Sequence, residues 1–142
     1  MNYNNLDEIE LLDIPTINDA RGNLAVIEKD ILPYQIKRVY YLFDVPSDSF
    51  RGGHAHKEQL EFLIALSGSF TVTLDNGKSK KSFLLNKPNK GLLLPTGIWR
   101  ELEDSRAATV IRDRAVAGGV RADLSREHEV ERVRLRQVVA CT

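Results

Sequence analysis

Residues 69–83 alternate. Phe70, Val72 and Leu74 are separated by Thr71, Thr73 and Asp75, and Asn76-Gly77 follows before a lysine-rich stretch turns back. Successive strand residues point to opposite faces, so the alternation puts three apolar side chains on one side of a sheet and polar ones on the other. Asn-Gly adopts positive φ at little cost, which predicts a hairpin closed by a two-residue turn at 76–77. Leu60, Phe62, Ile64 and Leu66 form a second apolar row on one strand face, ended by Ser67-Gly68-Ser69, and a third strand at 91–94 stops at Pro95-Thr96-Gly97. Earlier strands are expected at 23–28 and 36–43. From residue 14 to about 103 turn residues recur at roughly ten-residue intervals, which predicts an all-β sandwich or barrel.

Composition narrows the function classes. The 142 residues are 42% hydrophobic, with 20 basic against 20 acidic side chains, the profile of a soluble chain of about one domain. A chain of this size buries roughly two-thirds of its unfolded surface and needs no disulfide or structural metal. The single cysteine, Cys141, excludes an internal disulfide and fits a reducing compartment, so the cytoplasm is expected. Zero net charge argues against nucleic acid as the main partner. The longest apolar runs, 62–66 and 91–95, are too short to span a membrane, and the acidic stretch holding Asp7, Glu8, Glu10 and Asp13 is unlike a secretory signal.

The composition switches near Asp104. Residues 1–104 hold all eight lysines and every aromatic residue, whereas 105–142 hold eight arginines, no lysine and no aromatic. Two readings stay open for the tail: a charged helix over 121–139, from Glu and Arg at i, i+3 spacing, or a segment the fold did not evolve with. The expected organisation is a main domain at 1–104 and an atypical Arg-rich segment at 105–142 that would supply the last strand and helix of the same domain.

The chemistry concentrates in Arg51-Gly52-Gly53-His54-Ala55-His56-Lys57, which holds two of the three histidines. At i and i+2 on a strand, both imidazoles would point to one face and act on one ligand or metal. The spacing His54, His56, Glu61, Gly68 resembles the first signature motif of the cupins, which implies a jelly-roll barrel. Pro95-Thr96-Gly97-Ile98-Trp99-Arg100 resembles the second, with Arg100 where metal-dependent cupins place a histidine ligand. His54, His56 and Glu61 remain as a candidate metal set, but a guanidinium at the fourth place does not coordinate and repels a cation.

A closer resemblance runs in order from about residue 14 to 104. Asp19-Ala20-Arg21-Gly22-Asn23-Leu24, Ile36-Lys37-Arg38-Val39-Tyr40-Tyr41, the 51–57 segment, Leu66-Ser67-Gly68-Ser69 and Gly91-Leu92-Leu93-Leu94-Pro95 through Trp99 look like the dTDP-4-keto-6-deoxyglucose 3,4-ketoisomerases. The resemblance implies a metal-independent, cofactor-free cupin isomerase in deoxysugar synthesis, forming a homodimer with exchanged N-terminal strands. Its substrate would be a dTDP-linked 4-keto-6-deoxyhexose. It implies His54 as the catalytic base, with His56 and Tyr40 beside it.

Moving a carbonyl from C4 to C3 needs a proton removed and one returned, which a neutral imidazole does near pH 7. The Tyr40 phenol can donate to the developing enolate. Arg38 and Tyr40 share a strand face, so Arg38 could bind the pyrophosphate, or else be a solvated surface arginine. Arg51 reads as an anion clamp or as a partner of Asp48. Arg21-Gly22 matches members giving a galacto-configured product, and a β-turn accounts for it equally well. Trp99 reads as packing.

Two departures stand out. Relatives usually carry Trp-His-Glu where this chain has Trp99-Arg100-Glu101, and a terminal apolar strand where it has Ser105, Arg112, Asp113 and Arg114. Burying those charges in a strand is costly, which predicts a terminal strand displaced, exposed or replaced by helix. Besides the isomerase, two readings remain: a metal-dependent cupin on His54, His56 and Glu61, and a nucleotide-sugar-binding cupin without turnover.

Overall fold

The computed structural model describes residues 5–46, 49–104 and 135–141. A 3-10 turn at Leu6–Glu8 precedes the strands β1 (Leu11–Asp13), β2 (Thr16–Asp19), β3 (Gly22–Ala25), β4 (Arg38–Val45), β5 (Phe50–His54), β6 (Glu61–Ser67), β7 (Phe70–Asp75), β8 (Lys80–Leu85), β9 (Lys90–Leu94), β10 (Trp99–Asp104) and β11 (Leu135–Cys141). One sheet runs β1-β9-β6-β11-β4, a second β5-β10-β7-β8, and β2-β3 stands apart as a hairpin. The described pairings are antiparallel, as an all-β barrel with short turns requires.

The alternation of β7 is what joins the sheets. Phe70, Val72 and Leu74 are buried and meet Leu63, Ala65, Leu92 and Leu94 from the other sheet. Each such side chain contributes about 1.5–3 kcal/mol on burial. The turn after β7 is wider than the Asn-Gly pair predicts, because Asp75 pairs with Lys80 and leaves a four-residue loop. The Asp75 Oδ1 accepts from the Gly77 amide at 2.7 Å, and the Asn76 Oδ1 accepts from the amides of Lys78 and Ser79 at 2.9 and 2.8 Å. These side chains take up backbone donors that a tight turn would have left to the ladder.

β6 departs from the one-faced strand expected of Leu60, Phe62, Ile64 and Leu66. Leu63 and Ala65 face the main core, while Phe62 and Ile64 pack with Ile14 and Leu32 in a second cluster. Both faces are therefore covered, and the uninterrupted run 62–65 reflects it. A Cβ at Gly91 would overlap the Phe62 ring, which explains a glycine inside β9.

The tail needs one correction. Over 135–139 the chain is strand, not helix, and β11 lies between β4 and β6, hydrogen-bonded to both. The i, i+3 charge spacing says nothing about the unpaired ladder edges of β4 and β6, which Val138-Val139-Ala140 complete at the level of the backbone. Residues 105–134, with the charged stretch at Arg112–Arg114 and the remainder of the expected helix, lie outside the described residues.

Candidate active site

Two glycines aim the histidine pair. In the β5–β10 ladder Leu102 pairs with Arg51 and Glu101 with Gly52, then Arg100 pairs with His54, so Gly53 is skipped as a bulge. Gly52 and Gly53 have φ of +93° and +72°, in the region favouring glycine. A Cβ on Gly52 would also stand 2.7 Å from the Arg100 carbonyl oxygen. The bulge sets His54 opposite Arg100, which in turn pairs with the buried Leu74 across β7 and so faces the barrel interior.

His56 lies just beyond β5 rather than on it, so the strand argument for a shared face does not apply. Its position comes from the Gly97 amide, which donates to the His56 carbonyl at 2.7 Å and ties it to the Pro95-Thr96-Gly97 turn. The imidazoles nonetheless meet edge to face, with ring planes at 86° and the Nε2 atoms 3.2 Å apart.

Arg100 is the residue that sequence reasoning undervalued. The sequence marks it as a side chain that does not coordinate a metal and repels a cation. In the fold it is buried, and its Nη2 lies 2.9 Å from the His54 Nε2, 3.0 Å from the His56 Nε2 and 3.0 Å from the Glu61 Oε1. Glu61 opens β6 and is 1% exposed; its Oε2 is 2.8 Å from Nη2. The Gln59 Nε2 donates to the Glu61 Oε1 at 3.1 Å. A buried carboxylate needs a cation, and Arg100 supplies it. That requirement was the available signal, since Glu61 remained in the motif while its usual counter-ion had no fourth ligand.

The hydrogens can be counted. Nη2 bears two N–H bonds and faces both oxygens of the Glu61 carboxylate and two imidazole nitrogens, so with one hydrogen held by Glu61 one imidazole must bring its own proton. His56, with its Nε2 3.0 Å from the Glu61 Oε1, has a carboxylate to donate to. The two guanidinium hydrogens then serve Glu61 and the His54 Nε2. Burial chiefly, with Arg100 and His54 adding to it and Glu61 opposing, holds the His56 pKa below the ordinary imidazole value. His56 is thus neutral at pH 7, and His54 is the more exposed member of the pair.

The other predicted residues fall into separate places. The Arg38 guanidinium stands over the Tyr40 ring, 5.2 Å from its centroid, in keeping with a shared face, and Tyr40 packs at the edge of the core. Arg51 is exposed on β5, and Asp48 lies outside the described residues. Arg21 and Gly22 sit at the turn of the β2–β3 hairpin, where Arg21 pairs with Asp19 at 2.8 Å. Trp99 is a surface residue, 44% exposed, rather than the packed side chain expected. Its Nε1 donates to the Glu101 carboxylate at 3.2 Å on the outward side of β10, which keeps the ring at the surface.

The cupin resemblance implies a divalent ion held by His54, His56 and Glu61. With a guanidinium nitrogen within 3.0 Å of a donor atom of each, the residues as they stand do not fit one. Among the described residues no three His, Cys, Asp or Glu side chains are arranged to hold a metal, nor is any helix long and apolar enough to cross a membrane.

A double-sheet β-barrel with a hydrophobic core and a histidine pair braced by a buried arginine and glutamate defines a cupin-type barrel. A family model described as "FdtA: WxcM-like, C-terminal" matches residues 7–113, and the chain belongs to that family. It is 39% identical over 98 residues, 68% of this chain and 70% of the relative, to the TDP-4-oxo-6-deoxy-alpha-D-glucose-3,4-oxoisomerase of Aneurinibacillus thermoaerophilus. The fold matches QdtA, a sugar 3,4-ketoisomerase of Thermoanaerobacterium thermosaccharolyticum in complex with TDP, with TM-score 0.73 and 28% identity over 96% of this chain and 82% of that one. It also matches WlaRA, the TDP-fucose-3,4-ketoisomerase of Campylobacter jejuni, with TM-score 0.70 and 28% identity over 95% and 82% of the two chains.

Proposed function

We propose that this chain is an intramolecular oxidoreductase that converts TDP-4-keto-6-deoxy-D-glucose to its 3-keto isomer. The observation that carries the reading is the exposed His54, with its Nε2 3.2 Å from that of His56 and 2.9 Å from Arg100, in a member of this family.

The reaction balances within the sugar. His54 takes the proton from C3 on its Nε2, giving up the hydrogen bond it accepts there from Arg100; the C–H electron pair becomes the C3=C4 double bond and the carbonyl electrons move to O4. The O3 hydroxyl then loses its proton as the carbonyl re-forms at C3, while C4 and O4 gain protons. C3 is oxidised and C4 reduced, so no external redox partner or cofactor is needed. A neutral imidazole has the proton affinity for both transfers near pH 7. His56 and Arg100 orient His54. Tyr40 donates to the enediolate oxygen, and Arg38 and Arg51 bind the pyrophosphate.

Arg21-Gly22 would contribute to substrate binding and favour the galacto-configured product. The β2–β3 hairpin supports a homodimer with exchanged N-terminal strands, because Ile17 and Leu24, paired across it, are 61% and 58% exposed. A two-stranded hairpin is marginal alone and gains stability by packing against another surface. The edge strand β4, with Val39, Tyr41 and Phe43 exposed, offers one on a second copy. In this reading the enzyme works in the cytoplasm on a nucleotide-linked sugar.

Proton NMR of the purified protein with TDP-4-keto-6-deoxyglucose, without added metal, tests the reading. Conversion to the 3-keto isomer is expected, and the C4 proton couplings give the configuration. Unchanged substrate in a folded, TDP-binding sample would contradict it and favour a nucleotide-sugar-binding protein.

A further inference from the structure

The turn between β7 and β8 carries chemistry that the isomerisation does not use. Asn76 is the only asparagine of the chain that precedes a glycine. The side-chain carbonyl carbon of an asparagine lies within reach of the next backbone nitrogen, and a glycine there has no side chain to shield that nitrogen. Gly77 has a φ of +83°, and a Cβ on it would meet nothing within 4 Å, so the approach is open.

Hydrogen bonds restrain both reacting groups. The Gly77 amide, which would attack, donates to the Asp75 Oδ1 at 2.7 Å. That amide chiefly, with Lys80, holds the Asp75 carboxyl below the ordinary carboxylate value, so the acceptor is an anion at pH 7. An anionic acceptor stabilises the N–H and disfavours the deprotonated nitrogen that attack requires. The Asn76 Oδ1 accepts from the amides of Lys78 and Ser79 at 2.9 and 2.8 Å, while the Asn76 amide donates to the Ser79 carbonyl at 3.3 Å. Side chain and backbone of Asn76 are thus both tied to Ser79, which restricts the torsions that would close a ring with Gly77.

We propose that Asn76 is a self-modification site, deamidated through a cyclic imide with Gly77 and held in check in the folded chain by Asp75. The Gly77 nitrogen gives its proton to solvent and bonds to the Asn76 Cγ, whose carbonyl electrons move to Oδ1. Their return expels the side-chain nitrogen, which takes up a proton and leaves as ammonia. Water opens the imide at Cγ to give aspartate, or at the main-chain carbonyl to give isoaspartate, and no redox partner is needed. The aspartate product can still accept from the Lys78 and Ser79 amides. Isoaspartate instead routes the main chain through the former side chain, lengthening the loop between the paired Asp75 and Lys80 and disturbing the β7–β8 register.

Incubation at mildly alkaline pH, folded and in denaturant, followed by mass spectrometry of the peptide containing Asn76, tests the proposal. The unaltered folded chain should deamidate there at least about tenfold more slowly than the same chain unfolded, as the loss of one charge-assisted hydrogen bond requires. Asp75→Asn, which keeps an acceptor without its charge, should react faster than the folded parent, and Asp75→Ala faster still; the three unfolded chains should converge. Equal rates in the folded parent and its folded variants overturn the proposal, and so does an unfolded chain that keeps its Asn76 amide. If Asp75→Ala fails to fold, the parent still decides, because a folded parent as fast as its unfolded chain overturns the proposal too. The readout does not depend on turnover, so an inactive enzyme leaves it intact.

Discussion

Arg21 and Arg100 each hold a carboxylate at 2.8 Å, and the two pairs mean different things. In the hairpin the Arg21 and Asp19 side chains are 90% and 42% exposed, whereas those of Arg100 and Glu61 are 7% and 1% exposed. Water and salt screen the first pair, and its long side chains lose conformational freedom when held. The second cannot be broken cheaply, because either partner left alone is a charge in the barrel interior. Equal distances thus carry unequal consequences, and burial decides which pair organises its surroundings. The hairpin pair shapes a local turn; the interior pair sets the orientation of two imidazoles.

The largest expected effect lies beside the interior pair. His54→Asn keeps a side chain of similar reach but cannot shuttle the proton, so turnover should fall by about 10²–10⁴-fold with the fold intact, measured by product formation and circular dichroism. An active His54→Asn enzyme would break the link between the cluster and the chemistry.

Next comes the comparison itself. Glu61→Ala strips Arg100 of its counter-ion and should cost about 3–5 kcal/mol in denaturant unfolding. Asp19→Ala should leave the unfolding midpoint where it was. Equal losses would show that burial is not the deciding variable.

Acid sharpens the same contrast. Because the folded chain holds the His56 pKa below the ordinary value of about 6.5, the unfolded chain binds more protons in the interval between the two. His56 therefore contributes its full share of stability above that value and loses it as pH falls through the interval. Thermal unfolding should weaken from pH 7 to 5, and the slope should flatten in His56→Gln; parallel slopes would remove His56 from the account. Asp19, held low chiefly by its hydrogen bond to the Arg21 side chain, titrates only at more acid pH and should not contribute in this window.

The smallest effect is assigned to the hairpin. Arg21→Ala should raise the KM for the nucleotide sugar by a few-fold without moving the unfolding midpoint, as an exposed binding group would. An unchanged KM would leave Arg21 a turn residue only.

Much of this was legible in the residues, and the misses share a cause. Phe70, Val72 and Leu74 declared an inward face because period-two alternation is a local signal. The pairing of His54, His56 and Glu61 was legible as a motif, although His56 reaches the pair through the Gly97 amide and not through a strand. What local spacing could not express was long-range: Ile14 and Leu32 covering the second face of β6, and β11 arriving between β4 and β6 from far along the chain. The role of Arg100 depended on three partners at separations of 39 to 46 residues, so it emerged only with the fold. Trp99 was misplaced for a simpler reason, that side-chain size alone does not say which face of β10 carries it.

The most direct test of the central claim, that the braced histidine cluster moves the proton, is deuterium incorporation from D2O into the sugar nucleotide, followed by NMR for the unaltered protein beside His54→Asn. The account predicts solvent deuterium at C4 of the 3-keto product with the unaltered protein, and none at C3 or C4 with His54→Asn still binding TDP. Undiminished deuterium incorporation by His54→Asn would contradict it.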